Sequence, residues 1–447
     1  MTSNHLRRLH FLTMPSVQTL AGKRIADIRR RFGRRGAIEL MMVLAIGLAS
    51  TACTVSGDGG SGNPSSFKYK LWSDGVNLRG ANMYQRRVYP TLDGDDFLGP
   101  GPIGPPLTQG DFDALAALGA NYVNLSHPGL FNEQPPYQLD PSVRDNLDSL
   151  IAMAAQADLF CVVSFRTGPG RSEFAIFEGQ DWFPQSLVIN TVWTEQTAQD
   201  AWSEMWQYTA DRYRDRQNVV GYDLMVEPNG SSTALGIFDP DGFYPEHAGS
   251  LVDWNQMYPD LLEAIRQVDE ETPVLVSAMN YGSRLWLPYF AISDDPRVVY
   301  TVHQYEPFAF SHQGPNDNVT YPGPADTDGQ TEQVDRDWLD QLMSPIDEFR
   351  NAYGATVAIN EFGAVRWANG MGAYLRDEVD LFEARGINHA IWLWEADWPP
   401  LSQADDFNLR HGDDPQNHEA VVAGDGLNAI REIWSANKAR PSNPLAR

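Results

Sequence analysis

VVGYDLMVEPN, residues 219–229, reads as an apolar β-strand that stops at Glu227-Pro228. Proline donates nothing to a sheet ladder, so the strand ends there with Glu227 at its C-terminal mouth. A second stretch, ATVAINEFGA (355–364), has the same grammar: an apolar strand, then Glu361, then a glycine. The two glutamates are 134 residues apart, room for three strand–helix units between them. Two carboxylates at the ends of two strands of one barrel are a workable arrangement for cleaving glycosidic bonds.

Outward from these stretches, short apolar runs alternate with helical periodicity. Strands are expected at 75–78, 121–125, 160–165, 219–227, 273–276, 298–303, 356–360 and 389–394. Helices are expected between them, at 111–118, 143–157, 198–213, 253–268, 335–353 and 370–385, with a last one at 427–436. The 143–157 segment shows the logic, with Val143, Leu147, Leu150, Ile151 and Ala154 at helical spacing. Eight strands alternating with helices predict an α/β fold, a (β/α)8 TIM barrel with long βα loops over residues 67–447. An open doubly wound sheet is the rival, and no glycine-rich phosphate fingerprint follows the first strand to support it.

Charge and cysteine content narrow the chemistry. The net charge is −26 over 447 residues, but residues 1–66 hold nine Lys/Arg and three acids, leaving 24 Lys/Arg against 56 Asp/Glu beyond them. Such a surface repels phosphate backbones, excludes nucleic acid as a partner and suits a neutral substrate. With only Cys53 and Cys161, no disulfide framework or cysteine-based zinc site can be built. Arg29–Arg35, the apolar run 37–52 and the small residues before Cys53 describe an export signal over residues 1–53. The placement of Cys53 resembles a bacterial lipoprotein signal, although Ser50 stands where leucine is usual. An ordinary cleaved signal and an uncleaved anchor remain open beside it. Residues 54–66 are a Gly/Ser-rich tether, so the membrane enters only through a lipid anchor at Cys53, and the chain is expected at the cell envelope or outside the cell.

The polar candidates fall at strand ends, which in a barrel form the catalytic face. Thr301, His303 and Tyr305 share one side of their strand by alternation, as do Trp392 and Trp394. Taken with GVNLRG (75–80), EP (227–228), HQY (303–305), NEFG (360–363) and WLWE (392–395), the chain resembles family 5 glycoside hydrolases, the cellulase family of retaining (β/α)8 glycosidases. The resemblance implies that Glu227 is the general acid/base, Glu361 the nucleophile, His303 and Tyr305 its neighbours, and Trp394 the floor under the reacting sugar. It implies neither metal nor cofactor.

The chain departs from the family pattern in three places. Val226 stands where asparagine precedes the acid/base, Asn124 stands where arginine ends the second strand, and SFRTGPGR (164–171) lacks the usual histidine. Arg79 or Arg166 is therefore expected to supply the missing guanidinium, and Asn124 or His127 to reach the sugar 2-hydroxyl. Trp182, Trp193, Trp367 and Trp398 are further candidate sugar platforms, while Glu395 and Asp397 read as solvated loop acids or hydroxyl ligands. The expected activity is retaining hydrolysis of a neutral β-linked oligo- or polysaccharide. The alternatives are a non-catalytic glycan-binding lipoprotein on the same scaffold and a transglycosidase.

Overall fold

The computed structural model describes residues 67–89, 103–104, 106–181, 183–394, 405–444 and 446. The export segment, the tether, Cys53, Trp182, Glu395, Asp397 and Trp398 lie outside them. The barrel unit comprises residues 66–325 and 332–447.

Eight parallel strands close on themselves in sequential order: β1 Arg79–Tyr84, β2 Tyr122–His127, β3 Phe160–Phe165, β4 Val219–Asp223, β5 Val274–Ser277, β6 Val298–Gln304, β7 Thr356–Phe362 and β8 Asn388–Ile391. All eight are buried along their length but for the first residue of β7. Closure abolishes the sheet edge, and helices cover the outer face. The helices include α1 Phe67–Ser73, α2 Gln109–Ala117, α3 Pro141–Gln156, α4 Gln196–Tyr213, α5 Trp254–Arg266, α6 Arg336–Leu342, α7 Ser344–Tyr353, α8 Met371–Glu383 and α9 Asp425–Trp434. A two-stranded ribbon, Gly323–Thr327 with Gln330–Val334, makes a separate sheet.

The barrel interior is layered. At the bottom Tyr122, Val162, Val220, Leu275, Val299 and Ala358 pack with Leu71 and Trp72 of α1, which plugs the N-terminal end. The Trp72 indole donates to Val220 O at 2.9 Å, so its one polar atom is satisfied inside this apolar layer. Gly80 makes the layer possible: a Cβ there would lie 1.8 Å from Tyr122 O. Above it sits a polar layer of Asn82, Asn124, Ser164, Asp223 and Asn360, all buried and mutually hydrogen-bonded.

Three differences from the sequence expectation matter. The first strand begins at Arg79 rather than ending there, because Gly75–Leu78 runs in under the barrel, with Asn77 N and Leu78 N donating to Asn388 Oδ1. The fourth strand stops at Asp223, and Leu224–Val226 continue as extended chain held by Leu224 N to Leu275 O and Val226 N to Phe165 O. The 335–353 helix is two helices, since Pro345 restarts the turn in α7. Between β5 and β6 the crossover is the 3₁₀ segment Arg284–Tyr289, with Pro288 inside it.

Candidate active site

Glu361 is the next-to-last residue of β7, and Glu227 lies on the loop after β4. A register shift between β6 and β7 sets His303 directly opposite Glu361. His303 Nδ1 lies 2.9 Å from Glu227 Oε1 and 3.3 Å from Glu361 Oε2. One oxygen of each carboxylate and a ring nitrogen of His303 all fall within 4.8 Å of one another. Arg166, just past β3, donates to Glu361 Oε1 at 3.0 Å and to Ser126 Oγ at 3.0 Å. Tyr305 OH donates to Glu361 Oε2 at 3.0 Å.

Glu227 has φ = +55°, a left-handed conformation that a non-glycine residue adopts at a cost of about 1–3 kcal/mol. Its neighbours hold it there. Arg171 Nη2 donates to Glu227 O at 2.8 Å, and Tyr281 N donates to Pro228 O. Asn280, Tyr281 and Gly282 are themselves three consecutive left-handed residues after β5, and Gly282 presses against His303, where a Cβ would sit 2.9 Å from the ring. Strain of this kind persists where surrounding structure overdetermines it, and here it surrounds the two carboxylates.

Electrostatics follow from burial and neighbours. Burial works against a charged His303, yet Glu361 and Glu227 beside it raise it above the ordinary imidazole range. Burial also lifts both carboxyls. For Glu227 the hydrogen bond and charge of His303, with Arg166 and Arg171, more than offset that lift, while Glu361 stays raised despite His303 and Arg166 because Glu227 adds its own charge. Two carboxyls this close titrate as one unit. Donor geometry places their shared proton: both oxygens of Glu361 face donors, from Arg166 on one side and Tyr305 on the other. Glu227 has its donor contact, His303, on Oε1. Burial and the charge of Glu227 alone would put the proton on Glu361, but its two donors, one of them a guanidinium, favour the charge there and the shared proton on Glu227.

The structure thus gathers Glu227, Glu361, His303, Tyr305 and Arg166. Four other expected site residues are elsewhere. Arg79 stands at the opposite end of β1, where its guanidinium pairs with Glu383 at 2.5 and 2.9 Å; one misplaced strand boundary put it on the wrong face. His127 points out toward α3, with Nε2 2.9 Å from Asn146 Oδ1, and burial lowers its pKa to about 4, so it is a neutral core histidine. Asn124 lies in the polar layer beneath the site, held by Asn82 and Ser164. Trp394 is buried, with its indole donating to Asp111 O.

The aromatic beside Arg166 is Trp392 instead. It is half-buried, with Arg166 4.7 Å above its ring and Tyr84 5.9 Å away. Strand alternation pairs Trp392 with Trp394, but β8 ends at Ile391 and the rule does not extend past it. Of the remaining candidate tryptophans, Trp193 is fully buried, and Trp367 is half-buried with Arg366 5.6 Å from its ring. Sequence reasoning also missed Tyr84, Arg171 and Asp223, which carry no motif and read as strand and loop residues.

Among the described residues a second histidine–carboxylate group, Asp405 with His411 and His418, lies after β8. Asp405 accepts from both imidazoles and from Arg366, which also donates to the carbonyls of Gly412 and Asn417. That arrangement closes the loop on itself.

The sequence profile described as Cellulase (glycosyl hydrolase family 5) matches residues 88–397. Endoglucanase C of Acetivibrio thermocellus is 22% identical over 367 residues, covering 74% of this chain and 95% of the relative. Among solved structures, Thermotoga maritima Cel5A in complex with cellobiose superposes with a TM-score of 0.57 at 18% identity, covering 82% of this chain and 100% of that one. The same protein in complex with mannotriose gives 0.56 at 18% identity with the same coverage. A binding-only scaffold is not what these matches describe; they describe a cellulase- or endoglucanase-like hydrolase. The chain belongs to glycosyl hydrolase family 5.

Proposed function

We propose that the enzyme hydrolyses a neutral β-linked glucan with retention of anomeric configuration. The observation that carries this reading is the placing of the two carboxylate oxygens within 4.8 Å of each other and of one His303 nitrogen. Double displacement needs carboxyls about 5–5.5 Å apart, whereas inversion needs about 6.5–9.5 Å to admit a water between them.

In the first step Glu361 attacks the anomeric carbon while Glu227 passes its proton to the leaving oxygen. The positive charge developing on the sugar ring is offset by Glu361, which Arg166 and Tyr305 hold in line. Trp392 supplies the apolar face on which the ring stacks. With the leaving group gone, Glu227 is ionised and takes a proton from water as that water attacks the glycosyl–Glu361 ester. His303, within reach of both carboxylates, stabilises whichever carries the charge.

The proposal includes a glucan substrate because the named relatives are endoglucanases, and the net negative charge favours an uncharged polymer. It includes export, with the Gly/Ser-rich tether setting the barrel away from an envelope anchored at Cys53. An aryl β-cellobioside assay tests the roles. Glu361→Ala should lose turnover at least about a thousandfold and regain it with azide as an α-glycosyl azide. Glu227→Ala with azide should give the β-azide. Undiminished turnover in Glu361→Ala would refute the assignment.

A further inference from the structure

The polar layer beneath the carboxylates has a fixed hydrogen-bond direction. Asn82 Nδ2 faces two backbone carbonyls, Asn360 O at 2.8 Å and Ile391 O at 3.3 Å, and carbonyls only accept. Asn82 Oδ1 therefore faces Asn124, whose Nδ2 donates to it at 2.8 Å. This leaves Asn124 Oδ1 facing Ser164 Oγ at 2.7 Å. On its other side Ser164 Oγ faces Asp223 Oδ2 at 3.0 Å. The serine hydroxyl has one proton and stands between two oxygens. An ionised Asp223 would leave bare lone pairs in contact at one end or the other. A carboxyl O–H on Asp223 Oδ2 completes the chain, Asp223 to Ser164 to Asn124. The other oxygen, Asp223 Oδ1, is buried with no protein donor, tolerable for a neutral carbonyl oxygen and costly for half of a carboxylate.

We propose that Asp223 serves the reaction as a neutral carboxylic acid, a positioning residue that donates its proton to Ser164 and keeps a third negative charge out from under Glu227 and Glu361. The inference rests on the roles proposed for that pair. Asp223 is fully buried, and its Oδ2 also accepts from Asn360 Nδ2 at 3.1 Å, the residue before Glu361. The charged and titratable groups facing it are Tyr122 from β2, Arg166 and Arg171 beyond β3, His303 from β6 and Glu361 from β7, with Glu227 four residues on. Burial raises its pKa to about 6, against the pull of His303. A charge on Asp223 would push a proton onto Glu361, the group that must be ionised to attack.

Asp223→Asn in the full chain tests this, since the amide N–H replaces the carboxyl O–H toward Ser164 while the Asn360 amide turns to present its buried, unpartnered Oδ1. A carboxyl whose folded pKa lies above its unfolded value stabilises the fold fully below about pH 4, and that contribution is lost as pH rises through about 6. The variant lacks this loss. Its Tm relative to wild type should therefore rise by about 3 °C between about pH 4 and pH 8. A flat or falling difference overturns the proposal. The infrared difference spectrum at about pH 5 should show a protonated-carboxyl C=O band in wild type that is gone in the variant, and absence of that band overturns it equally. At that pH Asp223→Asn should keep kcat within about threefold of wild type while Asp223→Ala loses at least about tenfold; equal losses would overturn the positioning role. If Asp223→Asn does not fold, Ser164→Ala should shift the same band, and an unshifted band refutes the contact. None of these readouts depends on Glu361→Ala losing turnover, so failure here and failure of the assigned roles are separate results.

Discussion

At the scale of single residues, Glu361 is held by two donors of different kinds. Tyr305 gives one hydrogen bond to a buried carboxylate, a contact of about 1.5–3 kcal/mol. Tyr305→Phe should lower kcat about ten- to a hundredfold, with KM nearly unchanged, in steady-state assays. Arg166 does more: it pairs with Glu361, fixes Ser126 and lies over the Trp392 ring. Lysine has neither the planar fork nor the stacking face. Arg166→Lys should lose at least about a hundredfold in kcat/KM, and Arg166→Ala more, because a buried carboxylate is left unpaired.

At the scale of elements, the loop after β5 positions the site through its backbone. Gly282→Ala places a Cβ against His303 at a φ of +70°. It should cut kcat by at least about tenfold and lower Tm, whereas Gly236→Ala, also left-handed but in open space, should change only stability. The element scale also shows what was legible in advance. Strand periodicity and the two glutamate punctuations reach the barrel and its catalytic face because both are local signals. Arg79 went to the wrong end because an apolar lead-in segment looks like a strand. Trp394 was preferred to Trp392 on the family resemblance, and alternation, which put both on one side, fails where β8 stops. Arg166 remained one of two choices, since which guanidinium fills a gap across the barrel is set by closure. The polar layer with Asp223 was invisible, because five residues spread between positions 82 and 360 meet only when the sheet closes.

At the scale of the whole molecule, opposing sets of acids shape stability against pH. Burial raises Glu133 and Asp406 to about 7 and Glu378 to about 8. Raised carboxyls stabilise the fold below their unfolded pKa, near 4, and lose that contribution as pH rises through 6–8. Glu383 goes the other way: against burial, His389 and Arg79 hold it near 2, so its contribution is present above about pH 4.5 and fades toward 2. Tm should therefore peak at about pH 4–6 and fall toward pH 8, a fall that Glu378→Gln reduces in calorimetry. The −26 net charge has a separate consequence. Hydrolysis of carboxymethyl cellulose should speed up as salt rises from about 10 to 150 mM, while hydroxyethyl cellulose shows little change.

The central claim is that Glu227 and Glu361, brought within one sugar's breadth, act by two successive displacements. Proton NMR of the first product released from a β-linked cello-oligosaccharide reads this directly, before mutarotation. The account predicts that the new reducing end appears first as the β-anomer. Initial release of the α-anomer would contradict it.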